Sequence, residues 1–290
     1  METNTIPGII KALEVFDGKY KQKEVDEALK QKDEITPHLI EILKKVLGHP
    51  REYADEDSDY HGHLYAVILL SHFRETGAHD LIVELFSLPG ELPYDLFGDI
   101  ITEDLPAILY ATCGGSLERI KGIALNKEID EFVRSSALRA MVYAVVGGMI
   151  SREEVIEFFD SLFPLAAKEK NDVLYTCLAN AVCDIYPEEL MDKIKDAYKD
   201  GCISTFSIEL DDFETALAMG KEKTLGLIKK DMERRLSPDI HSRISWWACF
   251  RSEEPDPFIP GFAVPQSSSS GVTLTFPSQK KKKKKKKRKR

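Results

Sequence analysis

Hydrophobic side chains recur at intervals of three and four residues along most of the chain, and this spacing predicts a series of amphipathic α-helices. One stretch carries the pattern together with boundary signals. Thr36-Pro37 is typical of a helix start, and Gly48 supplies a stop. The apolar positions between them are Leu39, Ile42, Leu43, Val46 and Leu47. The sequence therefore predicts a helix from Thr36 to Gly48.

The middle of the chain carries the clearest helical pattern. One predicted helix ends at Gly147-Gly148, and the next opens with Ser151-Arg152-Glu153-Glu154, which is a capping box. Pro164 is expected to end that second helix, because proline lacks the amide hydrogen that a helix interior uses. The apolar stripe of the first helix consists of Val133, Ala137, Ala140, Met141, Ala144 and Val145.

The spacing of the predicted helices indicates the architecture. Helices are expected to start near Asp130 and near Asn171, 41 positions apart, with one helix between them. This matches the period of about 40–47 residues in HEAT and armadillo repeats. Alternating β-branched positions are absent before residues 272–275. We therefore predict an all-α fold over residues 1–251, a degenerate HEAT-like α-solenoid of stacked helical hairpins.

The helical pattern stops after residue 251. Prolines and a serine run predict a disordered linker over residues 252–279, and a poly-basic tail follows at 280–290. A charge run of this kind binds nucleic acid without sequence preference. A lysine run is also what an adenine-rich message encodes, so a frameshift artefact is an alternative explanation of the tail.

Acidic side chains outnumber basic ones in the chain, 49 to 40. Because residues 280–290 supply 11 of the basic ones, residues 1–279 carry a net charge of −20. Such a body repels nucleic-acid phosphates and anionic lipid. It favours a protein partner with a basic surface, although solubility alone also explains the charge.

The sequence gives no support to membrane insertion or secretion. No window reaches the roughly 18 consecutive apolar residues of a membrane span. The first residues lack the basic and apolar regions of a signal peptide. Five scattered cysteines predict reduced thiols and a cytoplasmic location. They are Cys113, Cys177, Cys183, Cys202 and Cys249.

Candidate chemistry is concentrated in a polar group between residues 59 and 104. His61 and His63 form a His-x-His pair, and paired imidazoles with a carboxylate such as Asp99 bind zinc or iron. Asp99 and Glu103 are the candidate catalytic carboxylates. The alternative is structural, with His63 bonded to a backbone carbonyl inside its own turn and the acidic residues near helix starts. On that interpretation no cofactor is expected.

Motifs for other chemistry are missing from the sequence. It contains no Gly-x-Ser-x-Gly elbow, no P-loop and no Gly-x-Gly-x-x-Gly. The densest aromatic group is Trp246, Trp247 and Phe250. We expect it to cap the last hairpin, because solenoids cover the apolar end of their terminal repeat. The alternative is a partner-binding site, since exposed tryptophans are typical of interface hot spots.

Several stretches resemble one protein family. They are residues 34–39, 62–66, 85–91, 98–105, 133–137, 150–156, 186–189 and 246–250. The resemblance is to an uncharacterised bacterial family, a domain of unknown function associated with chlamydiae and cyanobacteria. It implies a helical fold and no established activity. Many members carry a SecA-type zinc tail, but this chain has neither cysteine nor histidine after Cys249, so that tail is absent here.

Three functional hypotheses follow. The first is a non-catalytic protein–protein interaction scaffold or adaptor that uses an acidic helical-repeat surface. The second is a metal-dependent enzyme with its site around His61, His63, Asp99 and Glu103. The third is nucleic-acid binding through the poly-lysine tail.

Overall fold

The computed structural model describes residues 5–55 and 58–250. This part of the chain is all-helical, and its β-type pairing is limited to one antiparallel bridge between Val15 and Tyr60. The predicted all-α class is confirmed. The predicted linker at 252–279 and the basic tail at 280–290 lie outside the described residues.

Seventeen α-helices occur in the described ranges. The first nine are α1 (Ile6–Glu14), α2 (Gln22–Lys30), α3 (Lys32–Gly48), α4 (Pro50–Tyr53), α5 (Gly62–Phe73), α6 (His79–Phe86), α7 (Leu92–Phe97), α8 (Ile100–Glu103) and α9 (Leu105–Thr112). The remainder are α10 (Glu118–Leu125), α11 (Glu131–Val146), α12 (Arg152–Glu169), α13 (Asp172–Asp184), α14 (Met191–Lys199), α15 (Leu210–Met219), α16 (Lys221–Arg235) and α17 (His241–Ile244). No helix in these ranges has both the length and the apolar character that crossing a membrane requires.

Helix α11 lies at the centre of the fold. It packs against α8, α9, α10, α12, α13 and α16. Side chains on all of its faces are therefore buried, including Val133, Leu138 and Met141. Helix α5 is enclosed in the same way by α1, α3 and α9. Burial in α11 therefore extends beyond the apolar stripe that the sequence predicts, because a helix enclosed by its neighbours has no solvent-facing side.

Side-chain caps fix the starts of the central helices where the sequence predicts them. The Asp130 carboxylate accepts hydrogen bonds from the amides of Phe132 and Val133. Ser151 and Glu154 form the predicted capping box at the start of α12. Each cap satisfies amides that have no partner within their own helix, and thereby fixes the residue at which the helix begins.

Two proline-based boundary predictions are wrong. Helix α3 begins at Lys32 rather than at Thr36, and the Thr36 hydroxyl donates to the Lys32 carbonyl within the helix. Pro164 lies inside α12, which continues to Glu169. In both helices most apolar side chains near the proline are buried, and this packing outweighs the one backbone hydrogen bond that proline removes.

Helix α16 is joined to the central helices by a charged cluster. Arg139 of α11 forms ion pairs with Asp184 of α13 and with Asp231 of α16. The Tyr143 hydroxyl donates to Asp231 at 2.7 Å. Burial opposes the charge on Asp231, but the bonds from Tyr143, Arg234 and Arg139 outweigh it and hold the pKa of Asp231 at about 2. The carboxylate therefore stays charged at neutral pH and holds α16 against α11.

Substitution of Gly147 by a residue with a side chain is expected to destabilise the fold. A Cβ added at this position would overlap the Tyr110 hydroxyl and lie 3.0 Å from the Tyr143 carbonyl oxygen. Gly147→Ala should lower the free energy of unfolding by about 1–3 kcal/mol, because a buried tyrosine must shift. The matched control is Gly122→Ala in α10, where an added Cβ meets nothing within 4 Å. Urea denaturation checks both variants, and equal stability of the two would contradict the clash.

Candidate functional site

Residues 236–250, called the C-terminal segment below, leave α16 and lie against the N-terminal helices. The rings of Trp247 and Phe250 stack 5.9 Å apart. Phe250 also contacts Tyr20 at 5.6 Å and Tyr65 at 6.4 Å between ring centroids. The predicted cap over the last hairpin is therefore wrong for these two rings, because Phe250 packs against the N-terminal part of the chain and Trp247 stacks on Phe250.

Polar contacts attach the C-terminal segment to α2 and to the residues before it. The Nδ1 atom of His241 lies 2.6 Å from the Tyr20 hydroxyl, and its Nε2 lies 3.0 Å from Oδ1 of Asp26. Burial raises the pKa of Tyr20 above its ordinary value, so its hydroxyl keeps its proton. The imidazole thus bridges two side chains that are more than 200 positions away in the sequence.

Two arginines, Arg235 at the end of α16 and Arg243 in the C-terminal segment, contact the junction of α8 and α9. Arg235 donates to the carbonyl oxygen and to the carboxylate of Glu103, both at 2.7 Å. Arg243 lies 3.5 Å from Oδ1 of Asp104, and both side chains are buried. Burial raises the pKa of Asp104 and lowers that of Arg243, against the attraction between them. Burying these two charges therefore carries a desolvation cost, which the attraction between them opposes.

Trp246 differs from its two aromatic neighbours because it is exposed. Its side chain is 48% accessible, whereas Trp247 and Phe250 are half-buried. Of the predicted partner-binding residues, the structure thus leaves Trp246 facing solvent and packs Trp247 and Phe250 into an intramolecular aromatic group. Their role in partner binding stays a prediction.

The two histidines of the predicted metal site lie in apolar surroundings. The Nε2–H of His63 donates to the Leu96 carbonyl oxygen at 2.7 Å, and the ring stacks parallel to Tyr60. His61 stacks on Phe16 with 4.1 Å between centroids. Burial lowers the pKa of both imidazoles, that of His63 to about 4. Both rings are therefore neutral at pH 7, and one nitrogen of His63 is engaged with the backbone.

The two candidate catalytic carboxylates, Asp99 and Glu103, have different interaction partners. Asp99 is exposed at the start of α8, where its carbonyl oxygen accepts from the Thr102 hydroxyl and the Glu103 amide. Glu103 is bound to Arg235. Across residues 5–55 and 58–250, no group of three or more histidine, cysteine, aspartate and glutamate side chains is arranged to hold a metal ion.

One exposed aromatic residue was missed by the sequence reasoning. Phe206 is 83% accessible and lies in the loop between α14 and α15. The Tyr198 hydroxyl closes this loop by donating to the Ile208 carbonyl oxygen at 2.7 Å. Residues 188–214, called the acidic segment below, hold nine acidic and three basic side chains. A phenylalanine between acidic residues and outside any helical pattern was the available signal.

Over residues 5–55 and 58–250 the chain is all-helical. The chain belongs to the family described as "Protein of unknown function (DUF1186)", whose model matches residues 4–251. The family resemblance predicted from the sequence is confirmed at that level.

Two chlamydial proteins are similar to the chain. An uncharacterized protein of Chlamydia trachomatis serovar D is 33% identical over 74% of this chain and 85% of its own length. An uncharacterized protein of Chlamydia muridarum is 31% identical over 73% of this chain and 84% of its own length. No solved structure matches the chain.

Proposed function

We propose that the chain is a non-catalytic protein–protein interaction module whose helical domain, residues 1–251, binds a partner with a basic surface. The observation that carries the proposal is Phe206, an 83% exposed phenylalanine within the acidic segment. Large aromatic side chains supply much of the binding energy at protein interfaces. The surrounding acidic side chains would attract and orient a basic partner.

The acidic side chains on both sides of Phe206 face solvent. Asp192 and Asp196 are exposed on α14, and Asp211 and Asp212 are exposed at the start of α15. Two of the three lysines in the segment are already paired, Lys193 with Asp160 and Lys199 with Asp196. The segment therefore keeps a net negative charge available to a partner.

The proposal includes the HEAT-like solenoid predicted from the sequence, and the order in which the helices pack supports it. Helices α3, α5, α9, α11 and α13 pack each against the next, while α10 and α12 lie beside α11 and α13. This is the order of contacts expected when helical hairpins stack. The described cysteines are all free thiols, which is the state expected in the reducing cytoplasm.

Phe206→Ala should remove partner binding without affecting the fold. The full-length chain would be used as bait in nuclease-treated lysate of its own organism, with mass spectrometry as the readout. Recovery of the partner should fall at least about tenfold, since interface aromatics are worth about 2 kcal/mol or more. Leu227→Ala is the matched control, because Leu227 is an exposed apolar side chain on α16, outside the acidic segment.

Charge reversal tests the electrostatic half of the proposal. Asp211→Lys together with Asp212→Lys should weaken capture of the same partner, and raised salt should weaken it in the unaltered chain. A stoichiometric partner that survives both Phe206→Ala and the charge reversal would contradict the proposal. So would a lysate from which no protein is reproducibly recovered.

A further inference from the structure

A cavity of about 280 Å³ lies between the end of α5 and the C-terminal segment. One wall comes from the last turn of α5 and its C-cap, and the other from residues that follow α16. The lining residues are Ser71, His72, Arg74, Leu236, Pro238 and Arg243. The cavity therefore exists only because the C-terminal segment returns to the N-terminal half of the chain.

The charged side chains that line this cavity are positive, whereas the net charge of residues 1–279 is negative. Two of its six lining residues are arginines and none is acidic, in a chain whose residues 1–279 carry −20. Arg243 is compensated by Asp104 at 3.5 Å. Arg74 is exposed and forms no ion pair with any residue of the described ranges. Its positive charge is thus left uncompensated at the cavity wall.

Unused hydrogen-bonding groups lie at the same wall. The Ser71 hydroxyl and the Nε of Arg243 are both buried and have no hydrogen-bond partner among the described residues. Their side chains are only 1% and 6% accessible. Neither atom has accessible surface in the cavity, so a ligand accepts their hydrogen bonds only after the side chains turn towards it.

The end of a helix carries partial negative charge, which would oppose an anion beside α5. Lys32 offsets this effect, because its Nζ donates to the Phe73 carbonyl oxygen at 3.1 Å. The pKa of His72 responds to the resulting positive field. Burial first, and then the charges of Arg243, Lys32 and His241, lower the pKa of His72.

We propose that this cavity binds a small phosphate-bearing anion, either inorganic phosphate or a compact phosphate monoester. Arginine guanidinium groups are suited to the several oxygens of a tetrahedral anion. A volume of 280 Å³ lies near the lower limit of small-molecule sites, about 300 Å³, and therefore favours a compact ligand. Because the site joins α5 to the C-terminal segment, the bound anion would also hold that segment in place.

The test is calorimetric titration of the full-length chain at low ionic strength. Inorganic phosphate and glycerol 3-phosphate are titrated in separate arms, which distinguishes the free anion from the ester, and acetate is the carboxylate arm. Arg74→Gln should weaken the phosphate arm at least about tenfold, since a charge-assisted hydrogen bond is lost. Arg51→Gln is the matched control, because Arg51 is an exposed arginine on α4, away from the cavity.

Two further readouts separate a phosphate site from general charge screening. Phosphate should raise the pKa of His72, measured by NMR of its imidazole, because an anion in the cavity opposes the field of Arg243 and Lys32. It should also slow amide hydrogen exchange in residues 236–250. The proposal is overturned if neither phosphate arm binds at millimolar concentration, or if Arg74→Gln and Arg51→Gln bind equally well. It is overturned equally if acetate binds as tightly as phosphate.

Discussion

Replacing Arg134 with methionine is expected to lower the free energy of unfolding by about 3–5 kcal/mol, since removal of one partner strands a buried charge. Arg134 is 1% accessible and joins three helices. From α11 its Nε donates to the Ala124 carbonyl oxygen of α10 at 3.1 Å. Its two terminal nitrogens donate to the Glu169 carboxylate of α12 at 2.6 and 3.2 Å. Methionine has a similar length but no donor, so both acceptors lose their partner.

Arg119 provides the matched control for this substitution. It also lies near two carboxylates, Asp80 at 2.9 Å and Glu84 at 3.5 Å, but on the surface, where it is 46% accessible. Arg119→Met should therefore cost no more than about 1 kcal/mol, because solvent screens exposed ion pairs. Adding Glu169→Met to Arg134→Met should recover part of the loss. Urea denaturation at neutral pH measures each variant, and similar losses for Arg134→Met and Arg119→Met would refute the prediction.

The local features that the sequence predicted well are those decided within one or two helical turns. The Asp130 and Asn171 caps and the Ser151–Glu154 box depend on side chains that reach amides two or three residues away. Such contacts are visible in a sequence because their partners are adjacent. Pro37 and Pro164 were misread because burial of the surrounding helices decides whether a proline is tolerated, and burial depends on distant residues.

The candidate site was harder to predict because its contacts join distant parts of the chain. His241 meets Asp26, and Arg235 meets Glu103, across separations of 215 and 132 residues. No local pattern encodes these pairs. The structural alternative for His63 was a bond to a backbone carbonyl inside its own turn, whereas the structure shows a bond to the carbonyl of Leu96, 33 positions away. The residue type indicated that His63 makes a polar contact, but the packing of distant helices determines which carbonyl it bonds.

The buried imidazole of His63 predicts a marked loss of stability in mild acid. Its Nε2–H is held by the Leu96 carbonyl, so in the neutral ring Nδ1 carries no proton, and Nδ1 is buried without a hydrogen-bond partner in the described ranges. Protonation would therefore place a charged N–H in apolar surroundings. Burial lowers the pKa of His63 to about 4, against about 6.5 for an unfolded histidine.

The direction of the pH effect follows from which state binds the proton more readily. Between pH 6.5 and 4 the unfolded chain takes up a proton at His63 and the folded chain does not. The stability contributed by neutral His63 is therefore fully present above pH 6.5 and is lost as the pH falls towards 4. The shift of about 2.5 pH units corresponds to about 3 kcal/mol over that range. His63→Gln, which keeps a donor for Leu96 but does not titrate, should be less sensitive to acid by about that amount.

Urea denaturation at pH 7.5 and pH 4.5 measures this difference. Acidic side chains and His61 also make the free energy of unfolding depend on pH in this range. The unaltered chain and His63→Gln share these groups, so their contributions cancel when the two pH-dependent losses are subtracted. His49→Gln is the matched control, because it replaces an exposed histidine in the same way. If the chain and His63→Gln lose equal stability between the two pH values, His63 is not the buried neutral group that the structure requires. A smaller loss in His63→Gln alone would identify this imidazole as the origin of the acid sensitivity.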